Sequence, residues 1–280
     1  MRVGIVTVLF KSESFLERFV TCLNAQTYTE FEVCFISNDE SHVAARELVS
    51  RCAQFTFSFV ENSINVGVAT ANNQGLDHFL ADPKCGLVHF LNNDVEFDST
   101  FLLKQVAFFE RDYVDGITVK MYYFDSRAVW YGGGRLSYFK SGVVHFGHNK
   151  RDKLVGRDLF RVNYAPTCSL MIKASLLKAT GVRMRDKFFA YYDDTEFCWE
   201  LKEKGARLFY TPTVELLHKV SSSTGGAKSD FGRYYMTRNK YYMMRKHYNV
   251  LFLLMPLMLL IHSLLGRRIE ARAIKESFKL

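Results

Sequence analysis

The sequence predicts a layered α/β fold in which a Rossmann-like, mostly parallel sheet carries helices on both faces. Two observations predict it. Short apolar runs rich in Val, Ile and Phe alternate with stretches of helical spacing, the order that builds βαβ units. Polar clusters fall where those runs end, and open α/β sheets bind ligands at that edge. Right-handed crossovers then restrict how the layers can be wound.

"VGIVTVLF" (3–10) reads as the first strand, and "SFLERFVTCLNAQ" (14–26) as a helix with Phe15, Phe19, Cys22 and Leu23 on one face. "FEVCFIS" (31–37) is a second strand and "HVAARELVSRCA" (42–53) a second helix. "FTFSFVE" (55–61), "VATANNQGLDHFLA" (68–81) and "GLVHFL" (86–91) continue the series as strand, helix and strand. From Tyr113 to Val162 the pattern breaks into short strands and loops around Gly132-Gly133-Gly134. Helices are predicted again around Thr195–Lys204 and over Tyr234–His247.

Of the 280 residues 48% are apolar and 15% aromatic, enough for a substantial core. No repeat or low-complexity tract is present. The six cysteines are scattered, with no CxxC pair, which reads as reduced thiols rather than a disulfide framework or zinc site. The apolar start is too short for a signal peptide and reads as a strand, so a cytoplasmic location is expected.

Charge is concentrated at one end. Residues 226–280 hold eleven Lys/Arg against Asp230, Glu270 and Glu276, which accounts for the whole net charge of +8. Within them "NVLFLLMPLMLLIHSLL" (249–265) is bracketed by Arg245-Lys246 and Arg267-Arg268. About 16 apolar residues fall short of the ~20 that span a bilayer, and Pro256 and His262 weigh further against spanning. An interfacial segment with cations snorkelling at both ends is expected, with a helix packed on the core as the alternative. Nucleic acid is not expected as a partner.

Thr7 ends the first strand, "SNDES" (37–41) follows the second, and "NND" (92–94) follows the fourth. These clusters should share one crevice, joined by "NVGVATANN" (65–73), where Gly67 permits close approach and free helix-start amides suit an anion or a base. "NND" alone suits a plain turn equally well. No GxGxxG or GxxxxGK[ST] is present, which disfavours dinucleotide oxidoreductases and P-loop phosphotransferases.

An ordered series of short motifs then resembles one family. "IVTVLF", "LNAQTYTEFEVCFISN", "NVGVATANNQGL", "FLNNDVEF", "WYGGG", "FFAYYDDTEFCWELKEKGARLFYTP", "HKVSSSTGG" and "RNKYY" together resemble the family 2 glycosyltransferases of the GT-A fold, in the branch of bacterial rhamnosyltransferases. The resemblance implies a GT-A domain over 1–242, with 1–98 binding the nucleotide sugar and 99–242 the acceptor. Residues 243–280 would form a helical membrane-associating tail.

What the resemblance implies for the site is specific. Asp94 would hold Mg²⁺ or Mn²⁺ across the donor diphosphate, with Asn92 in place of the first carboxylate of the family's Asp-x-Asp motif and Asn93 between them. His218 would be a second metal ligand. Asp194, the second of the pair in "YYDDTEF", would be the general base, its pKa raised by Asp193 and Glu196. Asp193 would cap the helix that follows. Thr7, Ser37, Asn38, Asp39, Asn65, Gly67 and Asn72 would contact the nucleotide, Arg238 and Arg233 would add positive charge, and Trp130 would wall the sugar. "KVSSSTGG" reads as a closing loop. Ser37 and Glu200 depart from the family pattern, at the nucleobase slot and in the helix after the acidic pair.

The implied reaction is inverting transfer of L-rhamnose from dTDP-L-rhamnose to a lipid-linked glycan of a bacterial surface polysaccharide, at the inner face of the plasma membrane. Rivals are UDP-galactofuranose or UDP-N-acetylglucosamine as donor, and a catalytically silent partner in a membrane glycan-assembly complex. A nucleotidyltransferase is disfavoured, because "LFKSESF" is not a Gly- and Arg-rich phosphate loop.

Overall fold

A computed structural model describes every residue except 40–41, 139–141, 153–158, 220–225, 227 and 248–252. The alternating first half forms as its pattern dictates. Strands β1 (Arg2–Leu9), β2 (Phe31–Ser37), β3 (Thr56–Glu61) and β4 (Cys85–Leu91) alternate with helices α1 (Leu16–Asn24), α2 (His42–Cys52) and α3 (Val68–Ala81). The strands pair in parallel in the order β3-β2-β1-β4.

Both faces of β1 are covered. Val3 and Ile5 are fully buried on one side, and α3 lies on the other. Its Phe79 ring would stand 2.3 Å from a Cβ at Gly4, so only glycine lets helix and strand approach this closely. Strands buried on both faces read as continuous apolar runs, as β1, β2 and β4 do.

The second half changes the sheet's character. It adds β5 (Val95–Phe97), α4 (Phe101–Ala107), β6 (Gly116–Tyr123), β7 (Val129–Tyr131), β8 (Gly134–Ser137), β9 (Gly142–His145), β10 (Phe160–Val162), β11 (Ser169–Lys173) and α5 (Ala174–Thr180). Next come α6 (Asp193–Glu203), β12 (Leu208–His218), α7 (Asp230–His247), α8 (Met255–Leu264) and α9 (Arg268–Ser277). β11 runs antiparallel between β4 and β6, and β12 then pairs parallel with β6. β5, β7 and β10 add antiparallel edges, while β8 and β9 form a separate ribbon. The sheet is therefore mixed rather than mostly parallel. Because β11 reverses once, β6 and β12 end at the same edge as β1, β2 and β4.

The tail divides the sequence expectation in two. One side of α8, Met255 with Met258 and Leu259, packs against Tyr241, Met244 and Ile274. Its other side is exposed, and among the described residues no helix is long and apolar enough to cross a membrane. The cations expected to snorkel at the N-terminal end are already engaged: Arg245 bonds the Phe278 carbonyl at 2.8 Å and Lys246 pairs with buried Glu196. Residues 249–252 lie outside the described residues, as do 220–225 of the expected closing loop. α7 runs through residue 242 without a break.

Candidate active site

Two acidic centres open at the shared carboxyl edge. The first is built by strand pairing. β5 pairs antiparallel with the end of β12, Val95 opposite His218, and the Lys219 N–H donates to the Asp94 carbonyl at 2.9 Å. This register sets Asp94 Oδ1 3.3 Å from His218 Nε2. Trp130 on β7 places its ring edge-on to the imidazole, 4.7 Å between centroids. Burial would lower the His218 imidazole, but neighbouring Cys168 and Asp94 outweigh it and raise it to about 10.

The second centre sits on α6. Tyr191 and Tyr192 adopt left-handed backbone, φ 62° and 66°, and this sharp turn starts the helix at Asp193. Tyr192, not Asp193, holds the N-cap position, and no side chain caps the helix. The Asp193 carboxyl reaches Thr167 instead, and burial and the charge of Asp194 push it up to about 8. Asp194 is only partly covered. It accepts hydrogen bonds from Tyr164 Oη at 2.6 Å and Thr195 Oγ1 at 3.1 Å. Burial raises its carboxyl while both bonds pull it down.

Glu196, expected to raise the pair further, points away into the core. Arg185 at 2.9 Å, His247 at 2.8 Å and Lys246 surround it. Burial opposes its charge, but His247 and Lys246 prevail and hold it below the ordinary range. Glu200 joins the same cluster through Arg185 at 2.8 Å, so it braces α6 from behind. Cys168 links the two centres: its carbonyl accepts the Asn92 N–H at 3.0 Å, and its thiol lies within electrostatic reach of Asp94, His218 and Asp194.

Several expected nucleotide contacts are committed to the scaffold. Thr7 Oγ1 donates to the Leu91 carbonyl at 2.7 Å, tying β1 to β4. Asn93 Nδ2 donates to the Val8 carbonyl at 3.0 Å and to Ser12 Oγ at 2.9 Å. Asn38 Nδ2 donates to Asn65 Oδ1 at 2.8 Å, and Asn65 Oδ1 also accepts the Gly67 N–H at 2.9 Å. Asn62 and Gln74 exchange amide bonds at 2.8 and 2.9 Å beside them. Asp39 accepts the Lys11 N–H at 2.5 Å. Asn72 is buried on α3, and Ser37 is fully buried with its Oγ unpartnered.

The first amide of α3 is engaged within the chain. Val68 N–H donates to the Phe189 carbonyl at 2.9 Å, and a Cβ at Gly67 (φ 85°) would meet that same carbonyl at 2.8 Å. Close approach at Gly67 thus serves the chain's own segment ahead of the acidic pair. The basic candidates on α7 are also engaged. Arg238 Nη2 donates to the Lys187 carbonyl at 2.6 Å with its guanidinium over Tyr235, and Arg233 forks onto Glu270 at 2.9 Å.

Tyr164, Cys168 and Asn239 gave no signal of their own in the sequence. Asn239 is fully buried and bonds the carbonyls of Ala190 at 2.9 Å and Tyr191 at 2.8 Å. "RNKYY" marked its neighbourhood but not its task.

Among the described residues no group of three or more His, Cys, Asp or Glu side chains forms a metal cage. A divalent cation whose shell is completed by a phosphate-bearing substrate would not need one. One carboxylate and one imidazole, with phosphate oxygens and water completing the shell, suit Mg²⁺ or Mn²⁺. Asp94 and His218 fit that role once the imidazole gives up the proton it holds beside Asp94.

Among curated proteins no sequence matches this chain. Solved structures do share its fold. S. aureus TarS 1–349 in complex with UDP is 15% identical at a TM-score of 0.59, covering 88% of this chain and 66% of that one. The same fragment with UDP-GlcNAc gives 15%, 0.57, 88% and 67%. GalNAc-T7 with UDP, GalNAc and Mn²⁺ gives 12%, 0.65, 88% and 48%. The chain thus spans from about half to two thirds of these structures. The model of glycosyl transferase family 2 matches residues 4–178, more than half of the chain, which therefore belongs to that family.

Proposed function

We propose that this chain is a metal-dependent, inverting glycosyltransferase that moves a sugar from a nucleoside-diphosphate donor onto a lipid-linked glycan at the inner face of a bacterial plasma membrane. The observation that carries the reading is the pairing of two unlike acidic centres across Cys168. Asp94 and His218 form a hard-donor pair at the sheet edge, and Asp194 is a partly open carboxylate on α6.

Asp194 takes the proton from the acceptor hydroxyl, since an unassisted hydroxyl is a weak nucleophile. Tyr164 and Thr195 orient its two oxygens. Asp94 and His218 would hold a divalent cation, which would supply positive charge against the departing diphosphate. Trp130 packs edge-on against His218 and steadies the imidazole beside Asp94. Direct attack by the acceptor hydroxyl at the anomeric carbon, with Asp194 as base, inverts that centre.

The sequence resemblance favours dTDP-L-rhamnose as donor and a surface polysaccharide of the O-antigen or capsule type as product. The UDP in the TarS and GalNAc-T7 structures favours a UDP-sugar, such as UDP-N-acetylglucosamine or UDP-galactofuranose. Thermal shift with dTDP, UDP, GDP and CMP, with and without Mn²⁺, on wild type and Asp94→Asn, separates them. Metal-dependent stabilisation by one pyrimidine diphosphate, lost in the variant and after chelation, supports the site and names the base. No response to any nucleotide overturns the reading in favour of a silent assembly partner.

A further inference from the structure

We propose that the outer face of α8 and the basic row of α9 form one docking site for an anionic bilayer, with headgroup phosphates received in a depression between the two helices. α8 is apolar on both of its sides. Its inner residues complete the small core against α7. Around its outer face Leu253 is 74% exposed, Leu257 52%, Leu260 54% and Leu264 77%. Single exposed leucines are ordinary, but a contiguous face of them marks an interaction surface.

Charge identifies the occupant. Arg268, Arg272 and Lys275 recur at i, i+4 and i+7 on the exposed side of α9, while Ala273, Ile274 and Ser277 are buried on the other. The acidic residues of this segment are turned to partners, Glu270 to Arg233 and Glu276 to Arg272 and Tyr234. Between α8 and α9 lies an open depression of about 380 Å³ lined by Ser263, Arg268, Ala271, Arg272 and Lys275. Arg268 and Lys275, with Arg272 shared with Glu276 and a hydroxyl beside them, are the groups that receive a phosphate. Because Ser263 belongs to α8, the depression opens at the seam where the leucine face meets the basic row.

The dimensions fit an interfacial pose. Ten residues of α8 measure about 15 Å, half the hydrocarbon thickness. Lying in the plane, the helix sinks its leucines below the headgroups and leaves the α9 cations level with the phosphates. α9 is also bound to α7 through Glu270 and Arg233, so the surface is a fixed part of the protein rather than a loose tail.

The inference rests on the membrane-side reading above, and vesicle binding is measured without donor or acceptor, so the two fail separately. The full chain is floated with vesicles of phosphatidylcholine alone and of phosphatidylcholine mixed with phosphatidylglycerol. The variants are Leu257→Asp with Leu260→Asp, and Arg268→Glu with Lys275→Glu, all exposed positions whose folding is checked by thermal midpoint. Wild type is expected to float with the anionic vesicles and weakly with the neutral ones. Charge reversal should weaken that binding by at least about thirtyfold, at ~1 kcal/mol for each of the two residues, and the Asp pair should abolish it. Equal binding to both vesicles, no binding, or variants that float like wild type would overturn the proposal. A dimer in sedimentation that the Asp pair dissociates would overturn it too, giving the face to a second copy of the chain.

Discussion

The side-chain amide of Asn239 donates to the carbonyl of Tyr191 at 2.8 Å, and by that bond α7 holds the turn that delivers the acidic pair. Tyr191 and Tyr192 are both left-handed, a conformation costing about 1–3 kcal/mol for each non-glycine residue unless its surroundings enforce it. Asn239→Ala removes the enforcement and leaves two carbonyls without this donor. Stability should fall by about 1–3 kcal/mol. kcat should fall with little change in donor KM, because Asp94 and His218 stand on other elements. A loss confined to the thermal midpoint, with kcat and its pH profile intact, would reduce Asn239 to a packing residue.

Tyr164→Phe tests the base directly. The Tyr164 hydroxyl bonds Asp194 Oδ2 and favours the charged form against burial. Without it the Asp194 carboxyl rises further, so the acidic limb of the pH–rate profile should move to higher pH. The expected result is activity nearly restored at alkaline pH and reduced at neutral pH. An unmoved limb would mean that a different group sets it.

How far this could be read in advance follows from the range of the contacts. β2 and α3 fall on the residues their patterns predicted because each is specified locally, an apolar run or helical face closed by Gly, Asn or Ser. β7, β8, β9 and β10 are three or four residues long and depend on their partners, so the local pattern signalled short strands there but not where each begins and ends. The same holds at the site. Asp94 and Asp194 stood out as carboxylates in polar clusters, whereas Tyr164 reaches Asp194 across 30 residues and Asn239 reaches Tyr191 across 48. Asp193 misled as a cap because the unusual backbone of Tyr192 starts the helix one position earlier than a capping rule assumes.

Gly67→Ala should disturb the acidic pair from a distance. The residue has φ 85°, and its added Cβ would lie 2.8 to 2.9 Å from the backbone of Phe189, which cannot rotate away. Strain and overpacking together should cost about 2 kcal/mol or more. Phe189 immediately precedes the segment that Asn239 grips, so kcat should fall alongside the thermal midpoint. Asn239→Ala and Gly67→Ala combined should lose less activity than the two losses added, because both release one segment. Strict additivity would separate them.

Asp193 carries a pH signature of its own. It is buried, bonds Thr167 and faces the charge of Asp194, and its folded value of about 8 lies above the ordinary 3.8. A carboxyl raised in the folded chain binds its proton more tightly there than when unfolded, so its contribution is complete below 3.8 and is lost as pH climbs to about 8. Wild type should therefore lose thermal stability steadily across that window. Asp193→Asn removes the buried charge and keeps a side chain able to meet Thr167, so its stability should be nearly equal to wild type at the acidic end. At the alkaline end it should exceed wild type, by several degrees in midpoint. Melting curves across the window, without metal or nucleotide, provide the check. Parallel pH dependence of the two proteins would mean that Asp193 stays ionised at little cost, and that the proton held between the paired carboxylates belongs to Asp194 instead.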